Sequence, residues 1–278
     1  MTYDNGPLPT ARAMQLAPLL DQVLAVAVEA GGKIMEVYGS EFAVTHKDDD
    51  SPLTAADLAA HKHIVESLGR ITPELPILSE EAADIDFATR RKWTRYWLVD
   101  PLDGTKEFIK RNGEFTVNIA LIDNGSPRLG VVHAPVLDVT YLAAAGAGAF
   151  KEQEGQRRPI RTRKTVEPPS LVVTKSHRDA ALDTFLSRAP AHDAVSKGSS
   201  LKFCLVAEGA ADFYPRTGPT SEWDTAAGHC VAEQAGAQVL TLPDWQPLRY
   251  NQKESLLNPG FVVIGDPAYG WQQKLKAA

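Results

Sequence analysis

Apolar residues recur at helical spacing early in the chain. Leu20, Leu24, Val28, Ile34 and Val37 roughly keep one stripe, so residues 16–38 are expected to form a helix that Gly39 stops. A second helix is expected from near Ser51 to Gly69, carrying Leu58, His61, Ile64, Val65 and Leu68. Thr54 and Asp57 have capping-box spacing at its start, with Asp in place of the usual Glu. His61 and His63 are two apart, point to different faces, and read as surface or rim residues. Between the helices, Asp48, Asp49 and Asp50 mark a solvated loop.

The pattern then shortens. Residues 76–79 read as a short strand ending in Glu80-Glu81, and 96–99 as another ending in Asp100-Pro101-Leu102-Asp103-Gly104-Thr105. Strands separated by turns fill 115–160, punctuated by Asp123-Asn124-Gly125 and by Ala145-Gly146-Ala147-Gly148, which predicts an antiparallel meander. From Ser170 strands and helices alternate. Strands are expected at 171–173, 211–214 and 261–264, and helices at 179–188, 199–208 and 222–235. The change falls across the basic, proline-containing stretch 161–169. It predicts an α+β subdomain over 1–163 with an antiparallel sheet, and a mixed α/β subdomain over 164–278.

Composition narrows the function classes. The 278 residues are 44% hydrophobic and 23% charged, ordinary globular values that exclude a disordered chain. Twenty-nine basic and 35 acidic side chains leave a net charge of −6, which argues against a nucleic-acid polymer as partner. It does not argue against a small anionic substrate, because local cations can invert the field of a pocket. Cys204 and Cys230 sit in apolar helical surroundings without CxxC spacing, so two buried thiols in a reducing compartment are expected. The chain opens with no basic-then-apolar run, and 16–30 contains Asp21 and Glu29 and is too short to span a bilayer. A soluble cytoplasmic protein without an integral membrane segment is therefore expected.

The chemistry concentrates at Trp97 to Thr105. An apolar strand delivers Asp100 and Asp103, three residues apart, with Pro101 fixing the bend, Gly104 allowing close backbone approach and Thr105 offering a hydroxyl. Two carboxylates on a rigid turn suit hard divalent cations, and outward-facing amides at a helix start suit a phosphate. The same residues could form only a tight turn with a capping Asp. Glu80 and Glu81 also end a strand, and parallel or mixed sheets gather strand ends on one rim. Trp223-Asp224-Thr225-Ala226-Ala227-Gly228 places an acid in the first turn of a helix, where, taken alone, it reads first as a helix-stabilising charge.

Together, in this order and at this separation, Asp100 to Thr105 and Trp223 to Gly228 resemble the two signatures of the inositol monophosphatase superfamily of metal-dependent, lithium-sensitive phosphatases. The resemblance covers nearly the whole chain after the first dozen residues. It implies an α/β (α+β) fold, a layered αβαβα sandwich of the sugar-phosphatase type. Thr105-Lys106-Glu107-Phe108 and Gly198-Ser199-Ser200-Leu201-Lys202 are similar to the branch that hydrolyses 3′-phosphoadenosine 5′-phosphate. Arg216 stands before Thr217-Gly218 where the inositol-specific branch tends to carry Glu, which suits a second phosphate better than a polyol.

By this resemblance Glu80, Asp100, the Leu102 carbonyl, Asp103 and Asp224 hold two or three Mg²⁺ ions. Glu80 is chosen over Glu81 by its order. Asp57 and Thr105 position and deprotonate the attacking water. Gly104, Thr105, Ser176, His177, Ser199, Ser200, Lys202, Arg216 and Asp224 line the substrate site. The implied reaction is removal of the 3′-phosphate of adenosine 3′,5′-bisphosphate, or of its sulfated form, a step linked to sulfate assimilation. An inositol monophosphatase or sugar bisphosphatase of the same family, and a non-catalytic nucleotide and metal sensor, are the rivals. The expected partner is a small nucleotide bisphosphate. The chain is expected as a monomer or homodimer, cytoplasmic or peripheral on the inner face of the cell membrane.

Overall fold

The computed structural model describes residues 10–40, 52–173 and 180–276. Helices α1 (Thr10–Tyr38) and α2 (Pro52–Ile71) pair along their apolar stripes. They cover one face of a seven-stranded sheet. Its strands are β1 (Ile77–Ser79), β2 (Arg95–Asp103), β3 (Thr116–Asp123), β4 (Ser126–Ala134), β5 (Val139–Ala144), β6 (Gly148–Gln153) and β7 (Gln156–Ile160), in that spatial order. Alternation along β2 assigns its faces. Trp97 and Val99 join Leu20, Ala27, Ile34 and Ile64 in the core beneath α1 and α2. Tyr96 and Leu98 point the other way, against α6 (Leu201–Ala207) and α7 (Glu222–Gln234).

The far side of α6 and α7 meets a second sheet of β8 (Ser170–Val172), β9 (Asp193–Val195), β10 (Phe213–Arg216), β11 (Gln238–Thr241) and β12 (Phe261–Ile264). Its order is β11-β12-β10-β8-β9, with β8 parallel to both neighbours and β12 antiparallel to both of its own. Tyr214, Val239, Phe261 and Val263 face the inner helices. Leu171, Phe213, Val262 and Ile264 pack outward under α8 (Trp271–Lys276), with α5 (Ala180–Leu186) contributing Phe185 and Leu186. The stack is helix, sheet, helix, sheet, helix. Both sheets are buried on two faces, which is why many of their strands read as continuous apolar runs.

Several expectations change in detail. The first sheet is antiparallel except at its edge, where β1 runs parallel to β2. Strand β2 continues past Val99 to Asp103, with its register shifting between Asp100 and Asp103. The helix expected from 199 begins at Leu201, and the strand expected at 211–214 lies at Phe213–Arg216. Thr54 and Asp57 lie inside α2, not at its cap. His61 and His63 are partly buried fasteners. His61 Nδ1 lies 2.8 Å from Ser79 Oγ on β1, and His63 Nε2 lies 3.1 Å from Glu29 of α1. Cys204 and Cys230 are buried and unbridged as expected, and Asp48 to Asp50 fall outside the described residues.

Candidate active site

Parallel pairing of β1 with β2 sets Ser79 beside Val99, so the next residues, Glu80 and Asp100, emerge side by side at the sheet rim. Pro101 and the register shift interrupt the β2–β3 ladder there, and such a bulge re-aims side chains. Asp100 Oδ1 turns back to accept the Leu102 N–H at 3.1 Å. Gly104 follows with φ 97° and opens the short helix α4 (Thr105–Ile109). A Cβ at Gly104 would sit 2.1 Å from Ser199 Oγ, so both backbone angle and space demand glycine.

Asp103 is the most firmly held of the acids. Its Oδ2 accepts the Ser200 N–H at 2.7 Å and the Ser200 hydroxyl at 3.1 Å, with Asn118 Nδ2 at 3.3 Å. The Asp103 carbonyl accepts Ser199 Oγ at 2.8 Å, and Ser199 takes φ 48° to reach it. Asp224 comes from the inner helix layer. It closes a capping box at the start of α7, where its Oδ2 accepts the Ser221 N–H at 2.8 Å. Cap and site acid are thus the same residue.

These elements enclose a cavity of about 830 Å³. Glu80, Asp100, Leu102, Asp103 and Asp224 line it, as do Gly104, Thr105, Ser199, Lys202 and Arg216. Ser200 does not. It is 2% exposed and spends its hydroxyl on Asp103 and on the Asp224 carbonyl at 2.6 Å, so it supports the acids and is not a wall residue. Asp57 is also buried, off the wall, on α2. Ser176 and His177 lie outside the described residues.

The electrostatics separate the two neighbouring glutamates. Glu80 raises the carboxyls of Asp100 and Asp224, whereas Glu81 acts on His61. Burial pushes Asp100 well above the ordinary carboxylate range, and Asp103, Glu80, Asp224 and Asp57 push it further. Burial also raises Asp103. Burial, then the Asp103 charge, lifts Asp224 to about 7. Such like-charge crowding is costly without a counter-cation. Among the described residues no three His, Cys, Asp or Glu side chains are gathered closely enough to hold a metal ion as they stand. The all-oxygen donor set, only partly offset by Lys202 and Arg216, fits a hard divalent cation.

The cavity also carries cations. Lys202 Nζ donates to the Ser199 carbonyl at 2.6 Å. Burial lowers the Lys202 ammonium, Asp103 raises it and Arg216 lowers it, which places it between an acid and a guanidinium. Arg216, 7% exposed, donates to the Gly218 carbonyl at 3.2 Å and to Pro219 at 2.9 Å. Residues not foreseen also line the cavity, among them Lys106, Glu107, Lys110, Glu114 and Lys197. Lys197 pairs with Glu114 at 3.0 Å, and Glu114 also accepts the Gly198 N–H at 2.8 Å. The four-residue spacing of Lys106 and Lys110 was the available sequence signal.

Comparison with known proteins places the fold. The 3′(2′),5′-bisphosphate nucleotidase CysQ of Escherichia coli is 57% identical over 249 residues, covering 88% of this chain and 99% of the relative. That of Haemophilus influenzae is 39% identical over 258 residues, covering 91% and 95%. The crystal structure of CysQ from Bacteroides thetaiotaomicron superposes with a TM-score of 0.80 at 42% identity, covering 92% of this chain and 97% of that one. An inositol monophosphatase from Anabaena gives 0.74 at 27% identity, covering 95% and 96%. Residues 15–268 match the inositol monophosphatase family, a span that takes in both sheets and every described wall of the cavity, and the chain belongs to that family.

Proposed function

We propose that the protein hydrolyses the 3′-phosphate of adenosine 3′,5′-bisphosphate to AMP and inorganic phosphate. The observation that carries this reading is one cavity lined by Glu80, Asp100, Asp103 and Asp224 together with Lys202 and Arg216. The similarity to CysQ nucleotidases supports it. Phosphate monoester hydrolysis is among the slowest uncatalysed reactions, so each set of residues has a task.

Glu80, Asp100, the Leu102 carbonyl, Asp103 and Asp224 would hold Mg²⁺, two or three ions per site. When bound, Mg²⁺ supplies charge neutralisation on the phosphoryl oxygens and a lowered pKa for water. Asp57 and Thr105 orient the attacking water and take its proton. The amides of Gly104 and Thr105, at the start of α4, receive phosphoryl oxygens. The water oxygen bonds to phosphorus, the bond from phosphorus to O3′ breaks, and O3′ leaves as a hydroxyl by taking up, through solvent, the proton the water gave up. Ser199, Lys202 and Arg216 hold the 5′-phosphate through charge-assisted hydrogen bonds. Ser176 and His177 are assigned to the nucleoside. Ser200 acts through Asp103.

The two chain segments, 1–163 and 164–278, divide the work as a metal-binding and a nucleotide-completing subdomain. The sheets support that division by parting between Ile160 and Ser170. The described cavity is complete within one chain, which suits a monomer or a homodimer. The described helices include none long and apolar enough to cross a membrane, and two buried free thiols suit a cytoplasmic setting. The peripheral membrane placement has no support among the described residues. The acids and Thr105 are all present, which favours catalysis over a sensor role.

The test is phosphate release with Mg²⁺ across adenosine 3′,5′-bisphosphate, its sulfated form, inositol 1-phosphate and fructose 1,6-bisphosphate. The nucleotide should be the preferred substrate, with AMP as product. Preference for the polyol or sugar would replace this reading with the corresponding sister activity. Li⁺ should inhibit.

A further inference from the structure

We infer that Arg90 is a positioning residue that fixes the Asp224 carboxylate relative to Glu80. This rests on the reading of both acids as Mg²⁺ ligands.

Arg90 ends the short helix α3 (Phe87–Arg90) and is 1% exposed. Short hydrogen-bonded links join it to Glu80. A 3₁₀ turn spans Glu80–Ala82, Ile85 N–H donates to the Ala83 carbonyl at 2.8 Å, and Asp86 caps α3 through the Thr89 N–H at 2.9 Å. The guanidinium then reaches a loop more than 160 positions away. Nη1 donates to Asn251 Oδ1 at 2.7 Å, and Nη2 to the carbonyls of Lys253, at 3.1 Å, and of Glu254. Asn251 Nδ2 returns a bond to the Arg90 carbonyl at 2.6 Å.

The same loop grips the start of α7. The Asn251 N–H is 2.9 Å from both carboxylate oxygens of Glu222, itself 2% exposed. Glu222 N–H donates to the Leu256 carbonyl at 2.8 Å. Asn258 N–H donates to the Thr220 carbonyl at 2.8 Å, and Asn258 Nδ2 to the Ser221 carbonyl at 2.8 Å. Residues 220–222 are therefore held directly before Asp224. Backbone and hydrogen bonds together lead from Glu80 through Arg90 and Asn251 to the start of α7, tying the edge of the first sheet to the inner helix layer.

A buried guanidinium is an expensive way to fill space, and apolar side chains of similar volume are often as stable. What Arg adds is a planar fork that fixes several acceptors at once. The two carboxylates it links sit on different layers, one after the first sheet's edge strand and one on the inner helix, and both line the cavity. A rigid strut between the two layers keeps their separation fixed. Residues that orient metal ligands without touching the metal change affinity by roughly 10–100-fold when altered.

The experiment is calorimetric titration of the full-length, metal-stripped protein with Mg²⁺ alone, beside melting curves and steady-state kinetics. Arg90→Lys should weaken Mg²⁺ binding roughly tenfold and raise the Mg²⁺ needed for half-maximal rate by the same factor. At saturating Mg²⁺ its kcat should stay within about threefold of wild type, because no reacting atom has been touched. Asn251→Gly is the second variant. Asn251 has φ 57°, which glycine accepts, so the fold is kept while the amide clasp is lost. It should show the same weakening, and combining the two should add little. Arg163→Lys is the control, since Arg163 is doubly bonded to Asp212 at 2.8 Å, off the cavity wall. It should lower the melting temperature and leave Mg²⁺ affinity alone. Arg90→Lys behaving like that control would overturn the inference. Wild type without measurable Mg²⁺ binding would overturn the metal reading, and the inference with it.

Discussion

The site acids of the cavity come from strand ends and a helix start, whereas Lys202 and Arg216 reach in on long side chains already bonded to backbone carbonyls. Asp100, Asp103 and Asp224 are short, buried and mutually repelled, and each titrates above its ordinary range. Lys202 and Arg216 rest on the carbonyls of Ser199, Gly218 and Pro219. The acids repel one another, and Lys202 and Arg216 only partly offset this. The two cations need only exchange one acceptor for another. On the proposed function the acids would govern turnover through metal and the cations would govern which phosphate ester is chosen.

The strongest way to break that division is to remove metal. Stripping with excess EDTA should abolish phosphate release, Mg²⁺ should restore it, and Ca²⁺, larger and looser in geometry, should not. Full turnover in the stripped protein would contradict the acids' assigned task.

Next in size are the groups assigned to water. Asp57→Asn and Thr105→Ala should each lower kcat by about 10²–10⁴-fold with KM and Mg²⁺ affinity little changed. Unchanged turnover in Asp57→Asn would leave Asp57 as a buried residue of α2 only.

Ser200 sharpens the boundary between the two sets. Ser200→Ala removes a hydroxyl bonded to Asp103, so Mg²⁺ affinity should fall by roughly 10–100-fold while KM at saturating Mg²⁺ is kept. A raised KM with unchanged Mg²⁺ affinity would return Ser200 to the substrate site.

The smallest effect is thermal. Asp224 titrates at about 7 in the folded chain against an ordinary value of 3.8, and burial is the main cause. A carboxyl raised on folding contributes stability that is present at low pH and lost as pH rises through about 7. Glu222, raised by burial to about 7, acts in the same window. The metal-free protein should therefore melt lower at pH 8 than at pH 6, by roughly 2–4 °C per kcal/mol lost. Mg²⁺ should recover more at pH 8, and Asp224→Asn should flatten the slope. A metal-free melting temperature that rises between pH 6 and 8 would contradict the crowding argument.

Much of this was legible along the chain because it is local. Asp100 to Thr105 lies within one strand and turn, and Asp224 within one helix turn. The meander over 115–160 follows from alternation and turn residues. What stayed hidden depends on register or distance. Choosing Glu80 over Glu81 on structural grounds requires the pairing of Ser79 with Val99. The inward turn of Ser200 requires Asp103 and Asn118, which lie far away in sequence. Strands β9 and β11 are short and carry exposed polar positions, so they gave no apolar run. The Arg90–Asn251 clasp joins residues with no periodic relation at all.

The central claim is that Lys202 and Arg216 select a second phosphate, and kcat/KM measured on adenosine 3′,5′-bisphosphate and inositol 1-phosphate tests it most directly. Wild type should favour the nucleotide strongly. Arg216→Glu should cut that ratio by about ten- to a hundredfold, the worth of one charge-assisted contact. Equal efficiency on both substrates in wild type, or an unchanged ratio in Arg216→Glu, would contradict the account.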